Sequence, residues 1–414
     1  MKDQKMIKVA LPLMLSSALV VACLVLRKRR RTKRHTATDR TRSVSGRRSV
    51  SDLVRENIRV LTPYRCARDD YNKGILLDAN ENSIGPVIPE DQGTLDVMKL
   101  SLNRYPDPKQ MEVKELLSEF RGVKPEQIFV GVGSDEAIDR LMRIFCRPGE
   151  DAIIITPPSY GMYKVSAMVN DVEVQKAPLT PNYDVDVDEI LRVATPSTKM
   201  LFLCSPGNPT GKSIPLSAIR AVINGGFDGM VVVDEAYIDF SSSASAISLI
   251  DEFDRVVVLQ TLSKAFGMAA IRMGFAYGNK EVIQHMNNTK APYNINRLTQ
   301  EVAVRVLRDR RLYLQYVSDI KSELKRLQEA LRGLSCVKRV KETDANFFLV
   351  EQMDHAKEIY KSLAENGVVV RFRGNELHCK DCLRFTVGSP EENVRLLELL
   401  PRTAAAIAAS KQSS

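Results

Sequence analysis

After Ser49 the chain alternates short aliphatic runs with longer stretches whose apolar positions recur every three or four residues. The runs are DAIIITPP (151–158), MLFLCSP (200–206), MVVVDEAY (230–237), RVVVLQTLSK (255–264) and MGFAYG (273–278). Each stops at Pro, Gly, Asp or Ser. Continuous apolar runs without strict alternation predict strands of a largely parallel sheet covered on both faces. Between them, SDEAIDRLMRIFC (134–146) and SAIRAVINGG (217–226) have helical spacing, and the second closes on glycines that suit a helix C-terminus. From 299 to 334 the helical spacing is unbroken, which predicts one long connecting helix. FFLVEQ (347–352), GVVVRFR (367–373) and CLRFTVG (382–388) then return to strand-like runs. The order predicts an α/β fold class. An N-terminal arm and large domain would cover 49–295, and the connecting helix with a smaller α+β domain 296–402. The Ala-rich end, 403–414, reads as a flexible tail.

Residues 1–48 are a separate object. Val9 to Leu26 is eighteen residues without a charge, at the lower edge of a bilayer-spanning helix. RKRRRTKR (27–34) follows, then Ser/Arg-rich, acid-poor sequence. Basic residues after an apolar run would hold that end on the cytoplasmic side of a membrane, giving membrane contact through residues 9–26. The same composition suits a two-part import signal, with a plastid route favoured over a mitochondrial one. A start codon placed too far upstream is the third reading, and all three stay open.

Charge sharpens this division. The formal net charge is +9, but residues 1–48 carry fourteen Lys/Arg against Asp3 and Asp39, so residues 49–414 are left at −3. A slightly acidic body has no nucleic-acid footprint. Seven scattered cysteines, an odd number, argue against a disulfide framework and for a reducing compartment. Cys379 and Cys382 form a lone CxxC without a second pair at zinc spacing, which reads as incidental, and no metal site is expected.

GNPTGKS (207–213) nearly spells a phosphate-cradling loop. The motif needs Gly four residues before the GK pair, where Pro206 stands, and Pro206 and Pro209 remove amide donors that such a loop must offer.

A second constellation lies at several strand ends. Lys264 follows the 255–261 run, at the carboxyl edge where open α/β sheets bind ligands. A lysine desolvated there becomes nucleophilic. Asp234 ends another strand behind four apolar residues, a poor place for a carboxylate without a cationic partner such as a pyridinium nitrogen. Tyr237 and Asn208 can donate to a phenolic oxygen, and Tyr160 can stack on a ring face. GVGSDEAI puts Ser134, Asp135 and Glu136 at a strand-to-helix junction, a ready anion site. Thr261, Ser263 and Arg272 would add to it.

DEAY, NPTG and SKAFG with a following Arg together resemble the fold type I aminotransferases. VRENIRVLTPYRCAR, LDANEN, RYPDP, GVKPEQI, PPSYGMY, CSPGNPTG and LRFTVG are similar to the histidinol-phosphate aminotransferase family, from about Ser51 to about Leu400. The resemblance implies a mostly parallel seven-stranded sheet, pyridoxal 5'-phosphate bound to Lys264 as a Schiff base, and a role in histidine biosynthesis. Asp234 would hold the ring nitrogen, Asn208 and Tyr237 the phenolic oxygen, Tyr160 the ring face. Ser134, Asp135, Glu136, Thr261, Ser263 and Arg272 would surround the cofactor phosphate. Tyr105 would reach that phosphate from the second subunit of a homodimer. Tyr64 and Arg371 would meet the phosphate of L-histidinol phosphate, with Asn346 nearby in the substrate site, and Arg384 the carboxylate of 2-oxoglutarate or glutamate. Threonine-phosphate decarboxylases and aromatic aminotransferases share the cofactor residues, so the surroundings of Tyr64 and Arg371, including the polar 372–382 segment, decide the substrate.

Overall fold

The structure is a computed structural model that describes residues 49–62, 67–88 and 95–412. The chain divides into two compact units, Met1–Arg59 and Val60–Ser414. The described part of the first holds two short helices, α1 (Val50–Leu53) and α2 (Glu56–Arg59). Ser49 caps α1, its Oγ accepting from Asp52 N while the Asp52 carboxylate accepts from Ser49 N. The apolar stretch 9–26 lies outside the described residues. Among those described, no helix is long and apolar enough to cross a membrane.

In the second unit the five expected aliphatic runs, with two further strands, form one seven-stranded sheet. Its strands are β2 (Ile128–Val132), β3 (Ala152–Ile155), β4 (Glu173–Lys176), β5 (Thr198–Cys204), β6 (Met230–Asp234), β7 (Val256–Thr261) and β8 (Met273–Gly278). They lie in the order β2-β8-β7-β6-β5-β3-β4. The neighbours from β4 through β7 are parallel, and β8 runs antiparallel to both β7 and β2. Strands β6, β7 and β8 are buried at every position, as aliphatic runs without alternation require when helices cover both faces. Each fully buried Val, Ile or Leu contributes about 1.5–3 kcal/mol of transfer free energy.

The register brings the chemistry-bearing residues to one edge. Cys204 lies opposite Asp234, Thr261 opposite Gly274, and Val132 opposite Met273. Helix α4 (Gly133–Phe145) starts directly after β2 and buries Ala137, Ile138, Leu141 and Met142 on the sheet.

The remaining strands lie apart from this sheet. A four-stranded antiparallel sheet orders β12 (Arg371–Phe372), β13 (Leu383–Thr386), β10 (Phe347–Glu351) and β9 (Arg339–Val340). In addition β1 (Ile75–Leu76) pairs in parallel with β11 (Val368–Val369), which ties the start of this unit to its C-terminal part.

Two expectations need correction. The stretch 299–334 is two helices, α9 (Arg297–Arg308) and α10 (Arg311–Arg332). Asp309 adopts extended dihedrals and its carboxylate accepts from Arg311 N at 3.0 Å, which ends one helix and starts the next. The tail expected to be flexible instead continues α12 (Pro390–Gln412), with Thr403 buried. Alanine-rich sequence has the strongest intrinsic helix preference, so it extends a helix already nucleated at 390.

Candidate active site

A cavity of about 290 Å³ opens at the sheet edge where β2, β5, β6 and β7 end. Among its buried polar groups is Asp234, at the end of β6. The Tyr163 hydroxyl donates to Asp234 Oδ2 at 2.8 Å, and Ala236 N donates to Oδ1 at 3.2 Å. Burial pushes the carboxyl up to about 6, and these two hydrogen bonds hold it from rising further. Tyr163 is itself fully buried, stacked on Phe202 with ring centroids 4.9 Å apart.

Lys264 follows β7 and lines the same cavity. Its Nζ donates to Ala79 O at 2.9 Å and lies 5.6 Å from the centroid of the Tyr237 ring. Burial, reinforced by the nearby Arg384 charge, lowers its pKa to about 8. A large fraction of this amine is neutral near pH 8, as a nucleophilic lysine requires.

Tyr237 and Asn208 are aimed by partners that the sequence did not single out. Asn80 Nδ2 donates to Tyr237 Oη at 3.0 Å, which leaves the phenol's own proton for a cavity ligand. Burial raises this phenol to about 12, so it keeps its proton. Asn80 sits at φ 54° with its backbone N donating to Thr386 Oγ1 at 3.1 Å. Asn208 Oδ1 accepts from Arg384 Nη1 at 2.6 Å, so its amide nitrogen is the group left to donate inward.

At the far end, the first turn of α4 brings Ser134 and Asp135 beside Ser263, Thr261 and Arg272. Gly133 N donates to Arg272 O at 3.0 Å, and Arg272 Nη2 lies 3.4 Å from Asp135 Oδ2. Gly274 makes this approach possible. A Cβ there would come closer than 3.0 Å to Ser134 N and Gly133 C, both backbone atoms. The helix terminus, the hydroxyls and the guanidinium form an anion cradle. Glu136 is not part of it, because its carboxylate accepts from Val132 N (2.7 Å), Arg140 (2.7 Å) and Asn294 (3.1 Å) instead.

Three arginines line the mouth. Arg384 on β13 is 3% exposed; it donates to Asn208 and to Asp78 O, and its Nε finds no partner among the described residues. Burial, with Arg373 and Arg371 nearby, lowers its pKa to about 9. Such a buried cation, with no carboxylate paired to it among the described residues, is a place for a ligand anion. Arg371 lies opposite Arg384 in the β12–β13 register. Arg373 pairs with Glu376 at 2.6 Å. A second cavity of about 300 Å³ shares Tyr160, Asn208, Arg371 and Arg373 with the first. The Tyr160 hydroxyl donates to Asp135 Oδ1 at 3.1 Å.

Asn346 does not reach the cavity. It stands behind it, donating through Nδ2 to Asn80 O (3.1 Å) and Glu81 O (3.0 Å). Tyr105 is 77% exposed, outside the cavity of its own chain, and stacks on Tyr293 with ring centroids 4.5 Å apart. Tyr64 lies outside the described residues. Segment 372–382 is anchored rather than loose: Cys379 and Cys382 are buried in a small cluster with Leu179, Tyr183 and Leu349. The GNPTGKS loop turns its amides inward, Gly207 N to Lys212 O (2.8 Å) and Gly211 N to Gly207 O (2.7 Å), so it cradles no phosphate.

A buried carboxylate, two phenol-directed donors, a flanking tyrosine, an amine of lowered pKa and an anion cradle thus share one cavity. This donor set fits pyridoxal 5'-phosphate, a ring with a basic nitrogen, a hydroxyl, an aldehyde and a phosphate. Fold and cavity together are those of the pyridoxal-phosphate aminotransferase class. The family described as aminotransferase class I and II matches residues 72–400. The histidinol-phosphate aminotransferase of Cytophaga hutchinsonii is 44% identical over 354 residues, covering 85% of this chain and 98% of its own. That of Saccharomyces cerevisiae is 43% identical over 378 residues, covering 85% and 96%. The solved histidinol-phosphate aminotransferase of Clostridium acetobutylicum superposes with a TM-score of 0.73 at 25% identity, covering 80% of this chain and 99% of that one. The Sinorhizobium meliloti structure in complex with pyridoxal-5'-phosphate shares the fold with a TM-score of 0.75 at 19% identity, covering 88% and 100%. The chain belongs to the class I and II aminotransferases and, within them, to the histidinol-phosphate aminotransferase family.

Proposed function

We infer that the protein is a transaminase that moves the amino group of L-histidinol phosphate to 2-oxoglutarate, and the reverse from glutamate, with pyridoxal 5'-phosphate as cofactor, in histidine biosynthesis. The observation that carries this reading is the buried Lys264 amine and Asp234 carboxylate in one cavity, in a chain 44% identical to a histidinol-phosphate aminotransferase.

Bound there, pyridoxal phosphate supplies an electron-withdrawing ring that accepts the electrons released when the substrate α-carbon loses its proton. The chain's residues do the rest. Lys264 is the group we assign to hold the cofactor and to carry the proton from the substrate α-carbon, since its lowered pKa lets it act as a base near neutrality. Asp234 would keep the ring nitrogen protonated, and Tyr163 fixes which oxygen it presents. Tyr237 and Asn208 would donate to the phenolic oxygen, and Tyr160 would flank the ring. Ser134, Asp135, Ser263, Thr261 and Arg272 would hold the cofactor phosphate. Arg384 would take the carboxylate of 2-oxoglutarate, with Arg371 and Tyr64 on the substrate phosphate. One arginine fork can bind a carboxylate and a phosphate in turn, which an enzyme with two such different substrates needs.

Two further assignments belong to the same reading. The protein acts as a homodimer in which Tyr105 of one subunit reaches the cofactor phosphate of the other; its exposure in the single chain supports this. Residues 1–48 serve as a targeting or anchoring segment, supported by their charge and apolar run.

A half-reaction tests the substrate. The holoenzyme is mixed with L-histidinol phosphate, phenylalanine or threonine phosphate, and the absorbance of the lysine-bound cofactor is followed. Rapid bleaching by L-histidinol phosphate alone is expected. Bleaching by phenylalanine alone would move the protein to the aromatic aminotransferases.

A further inference from the structure

Outside this cavity, the most anomalous charged group is Lys114. It lies on α3 (Met111–Arg121), in the sequence MEVKELLSEFR, where Val113, Lys114 and Leu117 are the buried positions. A lysine therefore occupies the inward face of the helix, 6% exposed. Its ammonium has no hydrogen-bond or ion-pair partner among the described residues. The stem is packed inside while the ammonium stays within reach of solvent, a placement whose reason lies in what the charge faces.

The surroundings supply one. Lys114 lines an open cleft of about 1170 Å³ between α3 and α8 (Lys280–Thr289), which shares no residue with the cavity around Lys264. Lys109, Lys280 and Lys290 line the same cleft, against only Glu126 and Glu281. Lys290 is fixed in place by three neutral acceptors: Pro108 O (2.6 Å), Gln110 Oε1 (2.9 Å) and Asn294 Oδ1 (3.1 Å). Asp107, the acid whose charge acts on Lys114, has its carboxylate committed to Lys109 N (2.9 Å) and Met111 N (2.7 Å). Burial, with the Lys290 charge nearby, lowers the Lys114 pKa to about 8, and a bound anion would raise it again.

We propose that this cleft is a second anion-binding site, separate from the catalytic cavity, whose ligand is a small phosphate-bearing molecule hydrogen-bonded by Lys114, with Lys290, its three donors already used, adding only its charge. Lysines bind phosphate as converging point charges and need no planar fork, which suits a cleft with lysines and no arginine.

Competitive labelling of the full-length holoenzyme tests it. A limiting amount of an amine-reactive reagent is applied at about pH 8, with and without millimolar inorganic phosphate, ionic strength being matched with chloride. Each lysine is then quantified by peptide mass spectrometry. Labelling of Lys114 is expected to fall at least fivefold with phosphate, while the exposed Lys361 is unchanged. Equal labelling with and without phosphate, or an equal fall at Lys361, overturns the proposal. If Lys114 proves too buried to label, melting decides. Phosphate should raise the midpoint of the wild type by roughly 2–4 °C more than that of Lys114→Met. The same rise in both proteins overturns the proposal. Glucose phosphate in place of inorganic phosphate then separates a site for phosphate esters from one for the free ion.

Discussion

Tyr163 and Asp234, seventy-one residues apart, meet in a 2.8 Å hydrogen bond at the cavity, with the phenol donating to a carboxylate that forms no ion pair among the described residues. Because burial raises Asp234 and this bond opposes the rise, Tyr163→Phe should raise the Asp234 pKa above about 6. Cofactor affinity depends on the ionised carboxylate and will be lost as pH falls through that pKa. The acid limb of the cofactor-binding profile should therefore shift to higher pH in Tyr163→Phe, by roughly one unit. Fluorescence titration of the apoenzyme with cofactor between pH 5 and 8 measures it; an unmoved limb would assign Tyr163 to packing alone.

Asp234→Asn separates stability from function. The folded pKa of about 6 exceeds the ordinary value of 3.8, so this carboxyl supports the fold only while protonated. Its contribution is full below 3.8 and is lost as pH rises through 6, leaving the apoenzyme at pH 7.5 destabilised by on the order of 2–3 kcal/mol. Replacing it with a neutral amide should therefore raise the melting temperature of the apoenzyme at pH 7.5. Turnover should meanwhile fall at least a hundredfold, since a neutral ring withdraws electrons weakly. Differential scanning calorimetry of apo protein at pH 4 and pH 7.5 reads the first effect, which should vanish at pH 4.

Lys264→Ala should lose at least a thousandfold in transamination, because cofactor attachment and proton transfer fail together. In the wild type, cofactor loading should accelerate as pH rises toward about 8 and then level off, following the neutral amine. Stopped-flow absorbance of apoenzyme reconstitution gives the profile. A rate flat from pH 6 to 9 would remove the lowered pKa from the account.

How much of this was readable beforehand depends on whether a residue acts directly or through another. Lys264, Asp234, Tyr237 and Asn208 stood out because strand-end polar residues behind aliphatic runs are conspicuous, and the cavity gathers all four. Tyr163 and Asn80 did not, since they serve the cavity by holding Asp234 and Tyr237, and nothing in PPSYGMY or LDANEN states a partner far along the chain. Glu136 carried the acidic signature of a helix start, yet its carboxylate caps its own strand and pairs with Arg140. Strand β4 (EVQK) was missed because an edge strand has no continuous apolar run. The β1–β11 pairing joins two-residue strands nearly three hundred positions apart, beyond any local pattern.

Arg384→Lys tests the shared anion fork. Arg384 already holds Asn208 and the Asp78 carbonyl; a guanidinium still has three of its five donors for a carboxylate, where an ammonium would have one of three. The lysine variant should raise KM for 2-oxoglutarate about 10–100-fold, the equivalent of about 1.4–2.7 kcal/mol, through loss of two-point contact. Steady-state kinetics varying each substrate in turn will show whether L-histidinol phosphate suffers equally, as one fork serving both requires.

Gly274→Ala probes the cradle without touching any charged group. The added methyl would be forced against Ser134 N and Gly133 C, atoms of a helix start that cannot swing aside as a side chain would. Either β8 or the first turn of α4 must move, which opens the junction where Gly133 N meets Arg272 O at 3.0 Å. Overpacking against backbone costs about 1–3 kcal/mol. The cost should appear both as a lower melting temperature of the apoenzyme and as a weaker hold on the cofactor phosphate. Pyridoxal, which lacks that phosphate, supplies the control. Its affinity should change little in Gly274→Ala, whereas that of pyridoxal phosphate should drop at least tenfold. Equal losses for both would mean that the strain spreads to the whole sheet edge rather than to the cradle.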